Sequence, residues 1–150
     1  MPFRGTFEHS LDAKHRLTIP AAFRRQLGTE VVLAPAPRVR PDDPRALSIW
    51  KPEVYDEFVR RSLAGLNPMS PEAIDLVRLL SGDAHDTELD SANRVMIPGR
   101  LLTLCGLEKD VAVCGSGDRI EVWDRDTHAL TMERIRDRLP ETVARVVNTA

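Results

Sequence analysis

Near the start of the chain, apolar and polar positions alternate. Phe7, His9 and Leu11 interleave with Thr6, Glu8 and Ser10, the period-two pattern of a half-buried strand. Leu17 and Ile19 continue it in a second strand, and the polar run over 12–16 between them reads as a tight turn. Pro20 then opens a short helix with Phe23 and Leu27 inward, closed by Gly28. Val31-Val32-Leu33 and Leu47-Ser48-Ile49-Trp50 predict two further strands. The same order returns later, with strands over 87–90 and 94–97, a helix over 98–106, and strands over 111–114 and 119–123. Pro52 starts a helix whose Tyr55, Phe58, Val59 and Leu63 share a face. Ser70 caps another, with Pro71 at its first position and Gly82 at its end. After Trp123, Asp124 or Asp126 caps a helix carrying Met132, Ile135 and Leu139 and stopped by Pro140. The last ten residues read as a loosely held tail.

The recurrence is a duplication. Shifting the chain by 78 residues puts Leu11 on Leu89, Asp12 on Asp90, Arg16 on Arg94, Ile19 on Ile97 and Pro20 on Pro98. Gly28 then falls on Gly106 and Glu30 on Glu108, seven identities in twenty positions, where roughly one is expected by chance. Leu47-Ser48-Ile49-Trp50 matches Ile120-Glu121-Val122-Trp123 at an offset of 73, so the first copy carries five extra residues. Their place is the stretch 34–46, with four prolines plus Arg38, Arg40 and Arg45, which reads as a mobile, solvated connection. The second copy has Gly115-Ser116-Gly117-Asp118, a tight turn.

The fold expected is α+β and β-rich, with two β-β-α-β-β units over 3–52 and 83–125. A helical connection fills 53–82, and a C-terminal helix and tail fill 126–150. Four short strands cannot bury two faces alone. Two copies can, by interleaving into a closed pseudo-twofold barrel with peripheral helices, and closure also removes exposed strand edges.

Composition narrows the function. At 150 residues the chain is one domain, or two very small ones sharing a core. The net charge of -2 gives no global sign of a polyanion partner. Its distribution does. Residues 1–30 hold five Lys/Arg against three Asp/Glu, and residues 83–123 hold four against eight. Cys105 and Cys114 sit among apolar residues without zinc spacing and read as core positions in a reducing cytosol. No apolar run approaches the ~20 residues of a membrane span, and the N-terminus lacks the apolar run of a signal peptide. A cytoplasmic protein without a membrane partner is the expectation.

Phe3-Arg4-Gly5, followed by Leu11-Asp12-Ala13-Lys14-His15-Arg16-Leu17-Thr18-Ile19-Pro20, resembles the N-terminal signature of the MraZ transcriptional regulators. Leu89-Asp90-Ser91-Ala92-Asn93-Arg94 and Ile120-Glu121-Val122-Trp123-Asp124 resemble their second half. The resemblance covers about residues 3–128. It implies swapped-hairpin barrel halves of the AbrB type and a ring homo-oligomer, octameric or dodecameric. It also implies nucleoid association, with binding to short direct repeats in double-stranded promoter DNA of the protein's own division and cell-wall operon. His15 stands where the family usually has Gly, a position that asks for positive φ. His and Asn tolerate that region better than most residues, and Asn93 occupies the matching place.

The resemblance places the DNA-binding turn on residues 12–16. Arg16 is suited to guanine O6 and N7, Lys14 to phosphate, and His15 to a contact of its own. Arg4 and the helix-borne Arg24 and Arg25 would add phosphate contacts. For Arg16, DNA contact is preferred over a purely structural pair with Asp12. For Arg94 the preference reverses, because Asp86, Glu88 and Asp90 surround it. Asp12 and Asp90 are assigned to fastening their turns. No cofactor is expected. The histidines are scattered and no nucleophile elbow, zinc helix or phosphate loop appears, so an enzyme is not expected. His85 with Asp83 and Asp86 is the one cluster resembling a metal site, and a solvated loop explains it better. The rivals are a ring-forming interaction scaffold without DNA and a dimeric AbrB-like regulator or antitoxin.

Overall fold

The two copies solve their shortage of strand surface by exchange. The computed structural model describes residues 1–149. In chain order its elements are β1 (Thr6–Ser10), β2 (Arg16–Thr18), α1 (Ala21–Leu27), β3 (Glu30–Pro35), β4 (Leu47–Trp50), α2 (Pro52–Leu63) and α3 (Pro71–Gly82). There follow β5 (His85–Glu88), β6 (Arg94–Met96), α4 (Gly99–Leu104), β7 (Asp110–Gly115), β8 (Ile120–Asp124), α5 (Arg125–Asp137) and α6 (Leu139–Thr149). Six strands make one antiparallel sheet in the order β1-β7-β8-β4-β3-β5. First-copy β1 pairs with second-copy β7, and second-copy β5 pairs with first-copy β3. Exchanging the copies reverses the order onto itself, so a pseudo-twofold passes between β4 and β8. β2 and β6 form a separate two-stranded ribbon, again one strand from each copy.

The interleaving expected from the sequence is therefore present, but the closed barrel is not. β1 and β5 are the open edges of the sheet. The turns at 12–16 and 90–94 carry the chain off the main sheet, and three-residue strands, about 10 Å long, are too short to bridge both edges. The edge strands carry Glu8, Asp86 and Glu88, charges that discourage edge-to-edge association.

One face of the sheet buries the main core. Val31 and Leu33 of β3, Leu47 and Ile49 of β4, Val111 and Val113 of β7, and Ile120 and Val122 of β8 pack with Leu17 and Val95 of the ribbon. Phe23 of α1 enters this core edge-on against Phe3 and Phe7. Each fully buried aliphatic or Phe contributes about 1.5–3 kcal/mol. The alternate β3 positions, Val32 and Ala34, join Trp50 and Tyr55 on the opposite face, under α2. There Trp50 Nε1 donates to Ser48 Oγ (2.6 Å), and Ser48 Oγ donates to the Ala34 carbonyl (2.8 Å). Tyr55 Oη donates to the Leu80 carbonyl (2.7 Å) and ties α2 to α3. Cys105 and Cys114 are buried free thiols, each pushed up to about 11 chiefly by that burial.

Register corrects the repeat. β3 and β7 share one burial pattern, so Glu30 corresponds to Asp110, at an offset of 80. The Glu30–Glu108 identity is thus not a structural match. The second copy has two extra residues before β7, and the first has seven, not five, extra residues before β4. That stretch is exposed, as expected, and makes local hydrogen bonds: Asp43 Oδ2 accepts from Val39 N (3.2 Å) and Arg40 N (2.9 Å), and Arg38 Nη1 donates to the Pro41 and Asp43 carbonyls (both 3.0 Å).

The second-copy opening strand lies at His85–Glu88, two residues before its expected place over 87–90. Asp124 caps α5, accepting from Thr127 N (3.0 Å). Residues 141–149, expected as a loosely held tail, are helical and belong to α6, a helix with no buried residue; Ala150 lies outside the described residues. Pro140 does not merely stop a helix. It sits in the first turn of the next one, where a missing N–H costs nothing.

Candidate nucleic-acid interface

Both Asp-x-x-x-Arg turns are built alike. Asp12 Oδ1 accepts from Lys14 N and Arg16 N, each at 2.9 Å, and Asp12 Oδ2 accepts from Arg16 Nε at 2.7 Å. His15 N donates to the Asp12 carbonyl (2.9 Å) and closes the turn. Asp90 repeats this with Ala92 N, Arg94 N and Arg94 Nε, all at 2.9 Å. His15 and Asn93 both have φ of 59°, the left-handed conformation their residue types tolerate. The Arg16 backbone N–H, helped by the Arg16 guanidinium and Lys14 N–H, holds Asp12 below the ordinary carboxylate value. The Arg94 backbone N–H, with Ala92 N–H and the Arg94 guanidinium, does the same for Asp90. Both aspartates are therefore ionised at neutral pH, and each fixes the arginine four residues on.

The ribbon places what the turns fix. Arg16 lies opposite Met96, Leu17 opposite Val95, and Thr18 opposite Arg94. Leu17 and Val95 are fully buried, so Arg16, Thr18, Arg94 and Met96 share the outer face. Met96 is 60% exposed, a large apolar side chain left on the surface. Each arginine spends its Nε on its aspartate. Among the described residues neither Nη of Arg16 or Arg94 has a hydrogen-bond partner. Bidentate recognition of a guanine edge needs two donors, and the Nη pair supplies them. Fastening the turn and reading a base are thus compatible roles.

Of the residues singled out in the sequence, Lys14, His15 and Arg16 come together on the first turn, the first two exposed. Arg24 does not stand free: its Nε donates to the Ile19 carbonyl (2.8 Å), bracing the end of β2. Arg4 stands at the opposite end of β1 from the turn, where Phe3 pairs with Gly117. Arg94, set apart in the sequence by its acidic neighbours, is on the same ribbon face as Arg16. Thr18 and Met96 were missed as face residues. Alternation around Leu17 and Val95 marks them as outward, but nothing in the sequence says that β2 pairs with β6. Among the described residues no group of three His, Cys, Asp or Glu side chains is placed to hold a metal. His85 and Asp86 alternate along β5, and Asp83 pairs with Arg100.

The family described as "MraZ protein, putative antitoxin-like" matches residues 2–77 and 80–148. The chain belongs to the MraZ family. The protein named transcriptional regulator MraZ from Nitrosomonas eutropha is 36% identical over 127 residues, covering 81% of this chain and 80% of the relative. Its namesake from Nitrosospira multiformis is 34% identical over 142 residues, covering 93% and 95%. The one from Mesoplasma florum is 31% identical over 141 residues, covering 94% and 92%. The two MraZ segments divide the chain where the duplication does, one turn in each. Among the described residues no helix is long and apolar enough to cross a membrane.

Proposed function

We propose that the chain is a DNA-binding transcriptional regulator whose β2–β6 ribbon, led by the turn at 12–16, contacts double-stranded promoter DNA. The observation that carries this reading is the pair of arginines on one exposed ribbon face, each anchored through Nε with its Nη groups unengaged. Arg16 reads a base edge, Lys14 and His15 add phosphate or edge contacts, and Arg94 contributes less because its turn has Ala92 and Asn93 where the first has Lys14 and His15. Arg24, beside the end of β2, is a supporting cation, whereas Arg4, at the far end of β1, stands outside this face. The relatives' name supports transcription as the process. The cross-copy pairs β1–β7 and β3–β5 are consistent with the swapped-hairpin plan that the family resemblance implies.

The finer reading is repression of the chain's own division and cell-wall operon by a cytoplasmic, nucleoid-associated ring, octameric or dodecameric. One turn makes few phosphate contacts and binds weakly. Several turns in a ring, engaging several direct repeats, raise the effective concentration of each later contact. Occlusion of polymerase follows. A mobility-shift assay on DNA upstream of the gene, across a salt series, tests this. The expected result is a specific shift whose affinity falls steeply with salt, with Arg16→Ala weakening it by roughly tenfold or more. A ring-forming scaffold without DNA is the second reading, favoured by the exposed apolar stripe Leu139, Val143, Val146 and Val147 of α6. Assembly with no shift of promoter DNA selects it.

A further inference from the structure

The duplication supplies a comparison within the molecule. Ser10 pairs with Asp110 as Glu88 pairs with Glu30, and His9 pairs with Val111 as Thr87 pairs with Val31. Glu8 and Asp86 hold equivalent places on the edge strands. Arg125 is the first residue of α5 and Pro52 the first of α2, each after the last strand of its copy.

In one half this site is filled. Arg125 Nη2 donates to the His9 carbonyl (2.7 Å), its Nε donates to the Val111 carbonyl (3.4 Å), and its Nη1 lies 4.0 Å from Glu8 Oε2. Two carbonyls and one carboxylate make the cradle. In the other half Pro52 offers no cation. The equivalent positions, Glu30, Val31, Pro52, Asp86, Thr87 and Glu88, line an open cleft of about 640 Å³. The recess beside Arg125 is smaller, about 280 Å³. Glu30 and Glu88 lie directly opposite each other, a like-charge cross-strand pair that destabilises the sheet unless a cation intervenes. Among the described residues no Lys, Arg or His forms an ion pair with Glu30, Asp86 or Glu88. Lys51, next to Pro52, pairs with Glu53 at 3.6 Å.

We propose that this cleft binds an arginine side chain from a second copy of the chain, doing in trans what Arg125 does in cis. It rests on the self-assembly reading above and names a contact within it. The second copy is the source because the chain carries the matching surplus: Arg134 and Arg136 of α5 are exposed and unpaired among the described residues. Planar guanidinium suits the cradle better than ammonium, since Arg125 uses three of its nitrogens there. Nucleic acid is excluded as the occupant by the three carboxylates.

Sedimentation velocity on the full chain, over a concentration series, tests the proposal with Pro52→Arg and Asp86→Asn. Pro52→Arg installs the cation found at the equivalent place and fills the cleft from within. The expected result is an assembled wild type, with each variant associating at least tenfold more weakly. Thermal melting separates this from unfolding, and Asp86→Asn, a change at an exposed position, decides the matter if Pro52→Arg does not fold. A monomeric wild type overturns the assembly reading and the cleft with it. An assembled wild type whose folded variants keep its size distribution and dissociation constants overturns the cleft alone.

Discussion

Asp12 and Asp90 set the shape of both turns, and their ionisation carries the consequence. Their folded-state affinity for protons is depressed, so the stabilisation they contribute is present above the unfolded carboxylate range, near 3.8. It is lost as pH falls through the lower folded values. The melting temperature should therefore drop on acidification below about pH 4, and Asp12→Asn should lose at neutral pH what acid takes from the wild type. An Asp12→Asn protein whose melting curves match the wild type from pH 7 to pH 3 would contradict this. His15 offers a second check. At φ 59° a β-branched side chain is strained, so His15→Val should destabilise by about 1–2 kcal/mol in urea unfolding, with His15→Asn near neutral. The positive φ at His15 and Asn93 was legible from the glycine that the family resemblance places at the first of these positions, with His and Asn both tolerating that region. The commitment of Arg24 to the Ile19 carbonyl was not, because spacing along a helix does not reveal which distant carbonyl needs a donor.

At the scale of elements, the crossing of the N-terminus over the β7–β8 turn is the most demanding contact. A Cβ on Gly115 would lie 2.3 Å from the Arg4 nitrogen and from the Phe3 carbonyl carbon, both backbone atoms that cannot swing aside. Gly115→Ala should destabilise by about 1–3 kcal/mol in urea unfolding. A stable variant with the wild-type midpoint would mean the N-terminal segment is not docked there. Tyr55→Phe should cost about 1 kcal/mol by removing the link from α2 to the Leu80 carbonyl. The strands and the first three long helices were legible because their periodicity agrees with their caps, as at Pro52 and Ser70. One element and one register were not. Pro140 marks both an ending and a beginning, so α6 was hidden behind a stop signal. The coincidence of Glu30 with Glu108 concealed a two-residue slip that only the burial of β3 and β7 exposes.

For the whole molecule, the interleaved pairing makes each copy incomplete without the other. Residues 1–82 alone would lose β7 as partner of β1, β6 of β2, β8 of β4 and β5 of β3. That fragment should not fold, and a well-dispersed monomeric NMR spectrum from it would refute the shared core. Exchange was legible from the shortness of the strands. The open sheet and the separate ribbon were not, since the sequence marks which strands alternate but not where the turns send them. The ribbon changes the functional picture most. Charge along the chain divides the copies into a basic reader and an acidic support, whereas the fold sets Arg16 and Arg94 on one surface and leaves their neighbours to decide how much each contributes. The most direct measurement is equilibrium binding of wild type, Arg16→Ala and Arg94→Ala to the same upstream promoter fragment at two salt concentrations, with melting temperatures alongside. The account predicts a roughly tenfold or greater loss for Arg16→Ala, a smaller loss for Arg94→Ala, and little change in assembly. Undiminished binding by a folded Arg16→Ala protein would contradict it.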